Sequence, residues 1–213
     1  MIQIKNAAEL EKMRKACAIS AAALKAGGEA IEPGITTAEI DKIIYDFIVR
    51  HGARPNFLHL YGFPATACIS VNDTVIHGIP SRQQQIRPGD IVSIDTGCKI
   101  DGFNGDNACT YACGKIDLEA QRLLDVTKEG LHRGIEMARG GNRVGDIGHA
   151  VQSYVEENGF SVVRSFVGHG VGKELHEDPE VPNFGNVGRG PRLVPGMCIA
   201  IEPMVCQYKY AVK

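Results

Sequence analysis

Two stretches of the chain decide its fold: GITTAEIDKIIYDFIVRHG at residues 34–52 and GNRVGDIGHAVQSYVEENG at residues 141–159. Placed on one another without a gap, they match at Gly34 and Gly141, Ile40 and Ile147, Phe47 and Tyr154, Ile48 and Val155, and Gly52 and Gly159. These positions are glycines at turns and apolar residues on one helix face, which a folded chain constrains physically. The sequence therefore predicts one domain over residues 1–213, built from two related halves at about 1–107 and 108–213.

Each half is predicted to hold two helices followed by short strands. From Ile40 to Ile48, apolar residues recur at alternating three- and one-residue intervals, which marks one buried helix face. A Thr36–Glu39 capping box begins that helix and Gly52 ends it. Helices are also predicted at residues 118–138 and 146–158, and strands at 67–71, 91–94, 161–167 and 198–201. Because few of these strands are joined by helices, we expect an α+β fold with a mostly antiparallel sheet.

Composition and charge exclude several classes of protein. Of the 213 residues, 44% are hydrophobic and 23% are charged, with a formal net charge of −2, which argues against a disordered chain and against a nucleic-acid partner. The longest run without Asp, Glu, Lys or Arg, residues 55–72, is interrupted by proline and glycine, so we expect no membrane span. The N-terminus lacks a basic start with an apolar run, and the seven cysteines include no CxxC pair. We therefore expect a cytoplasmic protein with reduced thiols.

Acidic and imidazole side chains occur near the ends of the predicted strands. These are Asp95, Asp106, His169 and Glu202. A carboxylate placed after apolar strand residues is expensive to bury unless a cation compensates its charge. Carboxylate and imidazole ligands suit a divalent ion such as Mn, Fe, Co or Zn, and several carboxylates together can hold two ions. The residues alone leave a second interpretation open, since Asp at a strand end is often a turn residue and His between glycines is often a loop residue.

Four motifs resemble the signatures of one enzyme family. They are NDTVIHGIP at residues 72–80, DGFNGD at 101–106, GHGVG at 168–172 and IEPM at 201–204. In order and interval they resemble the type I, bacterial-style methionine aminopeptidases. The resemblance implies the pseudo-twofold pita-bread fold and the removal of the N-terminal methionine from nascent proteins whose second residue is small. It also implies a monomer that works near the ribosome and uses up to two divalent ions per chain, drawn from Co, Mn, Fe, Zn and Ni.

The resemblance also implies roles for single residues. Asp95 and Asp106 would bind the metals, with Asp106 bridging them, and His169 and Glu202 would complete the shell of the more buried ion. Glu202 would also carry the proton of the attacking water. His77 and His176 match the family's substrate-contacting histidines, one orienting the scissile amide and the other stabilising the oxyanion.

A methionine pocket is the least specific part of the resemblance. It maps onto Phe57, Leu60, Phe63 and Cys68, which would form a snug apolar site for an unbranched thioether side chain. The same four residues would also serve as ordinary core, so both interpretations stay open at this stage. Pro64 and Gly62 favour the pocket, because they hold the segment in a fixed loop.

The C-terminal segment departs from the family. A fifth ligand, a Glu that bridges both ions, follows some tens of residues after the position of Glu202 in the family, whereas residues 203–213 contain no Asp or Glu. We therefore expect the second metal site to be much weaker here and the peptidase activity to be weak, single-metal or absent. The alternatives are an inactive pita-bread domain that acts as a binding module, and a proline-directed aminopeptidase with the same fold.

Overall fold

Helices and antiparallel strands make up the chain in a computed structural model that describes residues 1–212. The last residue of the predicted domain, residue 213, lies outside the described residues. The chain divides into two compact units. The first unit comprises Ala7–Asp117 with Gly172–Leu175, and the second comprises Met1–Asn6, Leu118–Val171 and the residues from His176 onward. The long segments of the two units separate at Asp117 rather than near residue 107, because residue 107 lies inside a strand.

The first unit packs two helices against an antiparallel sheet. Its elements are α1 (Ala7–Glu29), α2 (Thr37–Arg50), β1 (Arg54–Pro55), a 3₁₀ turn (Leu60–Gly62), β2 (Ala67–Val71), β3 (Ile91–Ile100) and β4 (Phe103–Ala112). Strand β3 lies between β1 and β2 and also pairs with β4. The core joins the predicted apolar face of α2 to the fully buried residues of β2 and β3, among them Ile44, Ile69 and Ile94. Burial of that face is what fixes the helix on the sheet.

The second unit repeats this order with shorter strands. Its elements are α3 (Leu118–Met137), α4 (Val144–Glu157), β5 (Ser161–Val162), β6 (Gly168–Gly170), β7 (Glu177–Val181) and β8 (Val205–Cys206). Strands β5 and β8 pair with one another, as do β6 and β7, and both pairs are antiparallel. Val151 and Val155 of α4 are fully buried and belong to its apolar cluster.

The internal repeat is visible in the backbone of both units. Helices α2 and α4 begin 107 residues apart and end 107 residues apart. The pairing of Pro55 with Cys98 in the first unit recurs as the pairing of Val162 with Val205 in the second, again shifted by 107. Gly34 and Gly141 share a left-handed backbone, with φ of 97° and 101°. Glycine is required there because other residues rarely adopt this conformation.

Two of the predicted strands are corrected by the structure. The strand predicted at 161–167 ends at Val162, and residues 164–166 are exposed. The strand predicted at 198–201 is an extended segment without a continuous ladder, because it exchanges single bonds with β6: Val171 donates to the Cys198 carbonyl at 3.1 Å and Ala200 donates to the His169 carbonyl at 2.7 Å. Strand β3, in contrast, runs six residues beyond the predicted end at Ile94.

A tight hairpin explains the length of β3. Asp101 and Gly102, the two residues between β3 and β4, have φ of 52° and 85°. An Asp-Gly pair with positive φ at both positions matches the twist of an antiparallel hairpin, so the two strands stay paired to their ends. In the part of the chain that the structure describes, no helix is both long and apolar enough to cross a membrane.

Candidate functional site

Two predicted carboxylates lie on one face of the β3–β4 hairpin. Asp95 of β3 is opposite Ala108, and Asp106 of β4 is opposite Gly97. Residues opposite one another in an antiparallel pair point to the same side, and so do residues two apart on one strand. Asp95 and Asp106 are therefore diagonal neighbours on a single face, each half-buried. The tight hairpin fixes this register, because a slip by one residue would turn one carboxylate to the other face.

Cys68 of β2 lies on the same face as these carboxylates. It is opposite Asp95 in the β2–β3 register and is buried. Burial raises the pKa of the Cys68 thiol to about 12, and the negative charges of Asp95 and Asp106 raise it further in the same direction. The thiol is therefore un-ionised at neutral pH and behaves as a small apolar group.

Phe57, the most buried aromatic residue of the predicted pocket, borders this face. A methyl group at Gly97 would lie 3.4 Å from Phe57 Cε1 and 2.8 Å from the Gly105 carbonyl oxygen. Because position 97 points to the side of Asp95 and Asp106, the Phe57 ring packs beside the carboxylates. Glycine at position 97 leaves the space that the ring occupies.

A closed loop holds the other two predicted pocket residues. Leu60 donates its N–H to the Phe57 carbonyl at 2.9 Å, Phe63 donates to the Leu60 carbonyl at 2.9 Å, and His59 donates to the Phe63 carbonyl at 2.8 Å. Leu60 and Phe63 are half-buried, unlike Phe57 and Cys68, which are buried. The structure thus places Phe57 and Cys68 at the carboxylate face, while the pocket as a set of four stays a prediction.

His77 occupies a strained position in the loop that follows β2. Its φ is 59°, in the left-handed region that few side chains adopt. The next residue, Gly78, donates to Ser70 Oγ at 3.0 Å and accepts from the Ile69 N–H at 2.8 Å. A methyl group at Gly78 would lie 2.2 Å from the Ile69 carbonyl oxygen, so only glycine fits. Backbone pairing with β2 therefore fixes the strained residue, whose imidazole is exposed.

His169 and Glu202 are in direct contact in the second unit. His169 Nε2 lies 3.3 Å from Glu202 Oε1. His169 Nδ1 lies 2.8 Å from the Gly170 carbonyl oxygen, and because a carbonyl only accepts, Nδ1 carries the proton of this bond. Nε2 is therefore the nitrogen directed at the carboxylate. Two ligand atoms about 2.1 Å from one ion in tetrahedral geometry are about 3.4 Å apart, so this pair fits the edge of a metal site.

His176 is placed beside His169 by strands β6 and β7. The two ring centroids are 4.4 Å apart and the rings are inclined by 76°. His169 lies in β6, whereas His176 immediately precedes β7, the strand that pairs with β6. The His176 side chain is exposed, as a substrate-contacting group must be.

A buried asparagine that sequence reasoning missed supports Glu202. Asn183 is fully buried and donates its side-chain amide to the Glu202 carbonyl at 2.7 Å. Two residues further along, the Met204 carbonyl accepts from the Val163 N–H at 2.9 Å. Both bonds fix the backbone on which the Glu202 carboxylate is carried. No sequence motif marks Asn183, because its role depends on a contact between distant segments.

The internal repeat relates the two units at their candidate ligands. Glu202 lies 107 residues after Asp95, the same interval that relates α4 to α2. The two carboxylates therefore occupy equivalent positions of the repeated unit. The 107-residue interval was readable in the sequence, and extending it past the helices would have linked Asp95 to Glu202.

The donor chemistry of these pairs fits a divalent ion. Within the first unit the structure brings together Asp95, Asp106 and the un-ionised Cys68, and within the second it brings together His169, Glu202 and His176. Among residues 1–212, no three His, Cys, Asp or Glu side chains form a ready group for a metal ion. The four-residue metal centre therefore remains a prediction, supported by oxygen and imidazole donors of the type that Mn, Fe, Co and Zn accept.

Residues 11–212 match the model of metallopeptidase family M24. The methionine aminopeptidase of Clostridium perfringens is 54% identical over 213 residues, which is all of this chain and 85% of that protein. Methionine aminopeptidase 1 of Bacillus subtilis is 48% identical over 205 residues, 96% of this chain and 82% of that one.

Solved structures give the same result. The methionine aminopeptidase of Thermotoga maritima matches with a TM-score of 0.98 and 42% identity, covering 100% of this chain and 86% of that one. A prolidase from Pyrococcus horikoshii matches with a TM-score of 0.81 and 26% identity, covering 94% and 55%. These likenesses confirm the predicted α+β pita-bread fold.

Proposed function

Since the chain belongs to metallopeptidase family M24, we propose that it is a metal-dependent aminopeptidase that removes the N-terminal methionine of proteins whose second residue is small. The contact of His169 Nε2 with Glu202 Oε1 at 3.3 Å carries the proposal. It sets an imidazole nitrogen and a carboxylate oxygen at the separation that two ligands of one ion have. The small second residue and the methionine come from the resemblance and from the names of the relatives.

We propose that Asp106, His169 and Glu202 hold one divalent ion and that Asp95 and Asp106 contribute to a second. A bound divalent ion lowers the pKa of water and polarises a peptide carbonyl, which makes hydrolysis feasible near neutral pH. Co, Mn, Fe, Zn and Ni are all compatible with carboxylate and imidazole ligands. The cation also compensates the charge of the two carboxylates on the β3–β4 face.

The remaining groups handle protons and the substrate. Glu202 takes the proton of the attacking water and delivers it to the leaving amine, because a carboxylate within reach of the water can act first as base and then as acid. His77 and His176, both exposed, bind the peptide, one orienting the scissile amide and the other donating a hydrogen bond to the developing oxyanion. Phe57 and Cys68, on the carboxylate face, receive the methionine side chain, which an apolar surface with an un-ionised thiol suits.

Nascent chains that begin with methionine are the proposed substrates, so the protein is proposed to work in the cytoplasm close to the ribosome. A proline-directed aminopeptidase is the second candidate, supported by the likeness to the prolidase structure at 26% identity. The 54% identity to a methionine aminopeptidase favours the first candidate.

Release of free methionine from Met-Gly-Met-Met tests the proposal. Initial rates are measured during titration with Mn²⁺ and with Co²⁺, for the wild type, for His169→Ala and for His132→Ala. His132 is an exposed histidine of α3 outside the candidate site, so it is the matched control. We expect metal-dependent release by the wild type and the control and no release by His169→Ala. Cleavage of an Ala-Pro peptide in preference to the methionine peptide would favour the second candidate, and metal-independent or absent release would contradict both.

A further inference from the structure

We propose that Lys5 is a positioning residue for the two imidazoles of the second unit. Its buried ion pair with Glu177 fixes the pairing of β6 with β7, which carries His169 and His176. The idea rests on the proposed function only for its effect on turnover, because the effect on imidazole geometry can be measured separately.

The ion pair between Lys5 and Glu177 is buried on both sides. Lys5 Nζ lies 2.6 Å from Glu177 Oε2, and the two side chains are 4% and 8% exposed. The Lys5 ammonium also donates to the Gln3 carbonyl at 3.2 Å. By contrast, the pair of Lys15 with Asp101 leaves its side chains 54% and 46% exposed. Buried charges lose their hydration, so such a pair persists only where the fold holds both partners in place.

The N-terminal segment is seated so that Lys5 reaches Glu177. The Lys5 N–H donates to the Gly196 carbonyl at 2.8 Å. Gly196 has a φ of 91°, and a methyl group there would lie 2.7 Å from Ile4 Cγ2 and 2.8 Å from the Lys5 carbonyl oxygen. The backbone around Lys5 is therefore in close contact with the turn at Gly196, which limits where the ammonium can go.

Glu177 is connected to both imidazoles. It directly follows His176 and is the first residue of β7. In the register of β6 and β7 it pairs with Gly170, and a bulge separates that pair from the pairing of His169. The Gly170 carbonyl is the acceptor for His169 Nδ1 at 2.8 Å. Bulges bend a strand and redirect its side chains, so holding Glu177 sets the direction of His169 as well as the start of β7.

The competing interpretation is that the pair only stabilises the fold. A purely structural pair would lower the unfolding temperature when broken but leave the imidazoles of the folded protein unchanged. A positioning pair changes kcat and the environment of the imidazoles in protein that is still folded.

The test compares Lys5→Met, Lys5→Arg and the control Lys15→Met, which loses only the exposed pair with Asp101. The Zn²⁺-loaded proteins are studied well below their unfolding temperatures, by hydrolysis of Met-Gly-Met-Met and by NMR of the histidine side chains. We expect Lys5→Met to lower kcat about 10- to 100-fold, as loss of a supporting contact around a metal ligand does. We expect KM to change by less than about twofold, because the substrate contacts remain.

The NMR measurement separates positioning from stability. In Lys5→Met we expect the His169 and His176 imidazole resonances to shift, and in Lys15→Met we expect them to stay in place. Lys5→Arg should recover most of the kcat, since a guanidinium can also pair with the Glu177 carboxylate. If Lys5→Met does not fold, Glu177→Gln, which keeps an acceptor but removes the charge, is measured in the same way.

Unchanged kcat and unchanged imidazole resonances in a folded Lys5→Met or Glu177→Gln protein would overturn the proposal, even if the unfolding temperature fell. Should the wild type cleave no methionine peptide, the proposed function fails. The imidazole resonances then decide the positioning role by themselves.

Discussion

Replacing Asp106 by Asn should make the metal-free protein more stable and the metal-loaded protein less stable. Asn has nearly the same shape as Asp, so packing on the β3–β4 face is retained while one charge is removed. From the register, Asp95 and Asp106 are diagonal neighbours on one face. At about 6 Å and an effective dielectric constant of 20, two like charges repel by about 3 kcal/mol. Because both side chains are only half-buried, screening reduces the expected gain in unfolding free energy to about 1–2 kcal/mol.

Metal binding should reverse the order. At a Mn²⁺ concentration 100 times the dissociation constant, the wild type should gain about 2.7 kcal/mol of unfolding free energy. The variant lacks a charged ligand and should gain much less. Urea denaturation in EDTA and in Mn²⁺ measures both effects, with Asp73→Asn as a control because Asp73 is an exposed carboxylate in the loop after β2.

The reasoning would be refuted by an Asp106→Asn protein that is no more stable than the wild type in EDTA and gains as much as the wild type from Mn²⁺. The first result would mean that Asp95 and Asp106 do not repel one another across the face. The second would mean that Asp106 is not a ligand.

Three further predictions follow from other parts of the molecule. Thr36→Ala removes the side-chain acceptor for the Glu39 N–H and should lower the unfolding free energy by about 1 kcal/mol in urea denaturation; no loss would mean that the capping box does not stabilise α2. Cys68 should react with iodoacetamide much more slowly than the exposed Cys109 at pH 8, since its thiol ionises only near pH 12; equal rates by peptide mass spectrometry would contradict the buried, carboxylate-flanked thiol. Asn183→Ala should lower kcat more than it raises KM for Met-Gly-Met-Met, because the backbone of the Glu202 carboxylate loses its anchor; an unchanged kcat would contradict that support.

The helices and the repeat could be predicted because their signals are local. The apolar spacing of α2 and its Thr36–Glu39 capping box lie within one segment, and the structure confirms both. The strands 161–167 and 198–201 were predicted wrongly, because their apolar runs reflect burial rather than pairing. Ala200 is held by a single donated bond to His169, which no local pattern encodes.

The site was predictable to the extent that its residues share motifs. The contact of His169 with Glu202 agrees with the motif-based prediction, as does the shared face of Asp95 and Asp106. Asn183 and Lys5 were not found, because each acts through a partner at least 19 residues away along the chain, with no motif around it.

The most direct measurement is anomalous X-ray diffraction from crystals of the Zn²⁺-loaded protein, recorded at the zinc absorption edge. The account predicts a peak about 2.1 Å from His169 Nε2 and from carboxylate oxygens of Asp106 and Glu202. A fully occupied zinc ion that contacts none of these three side chains would contradict the central claim that they form the metal centre.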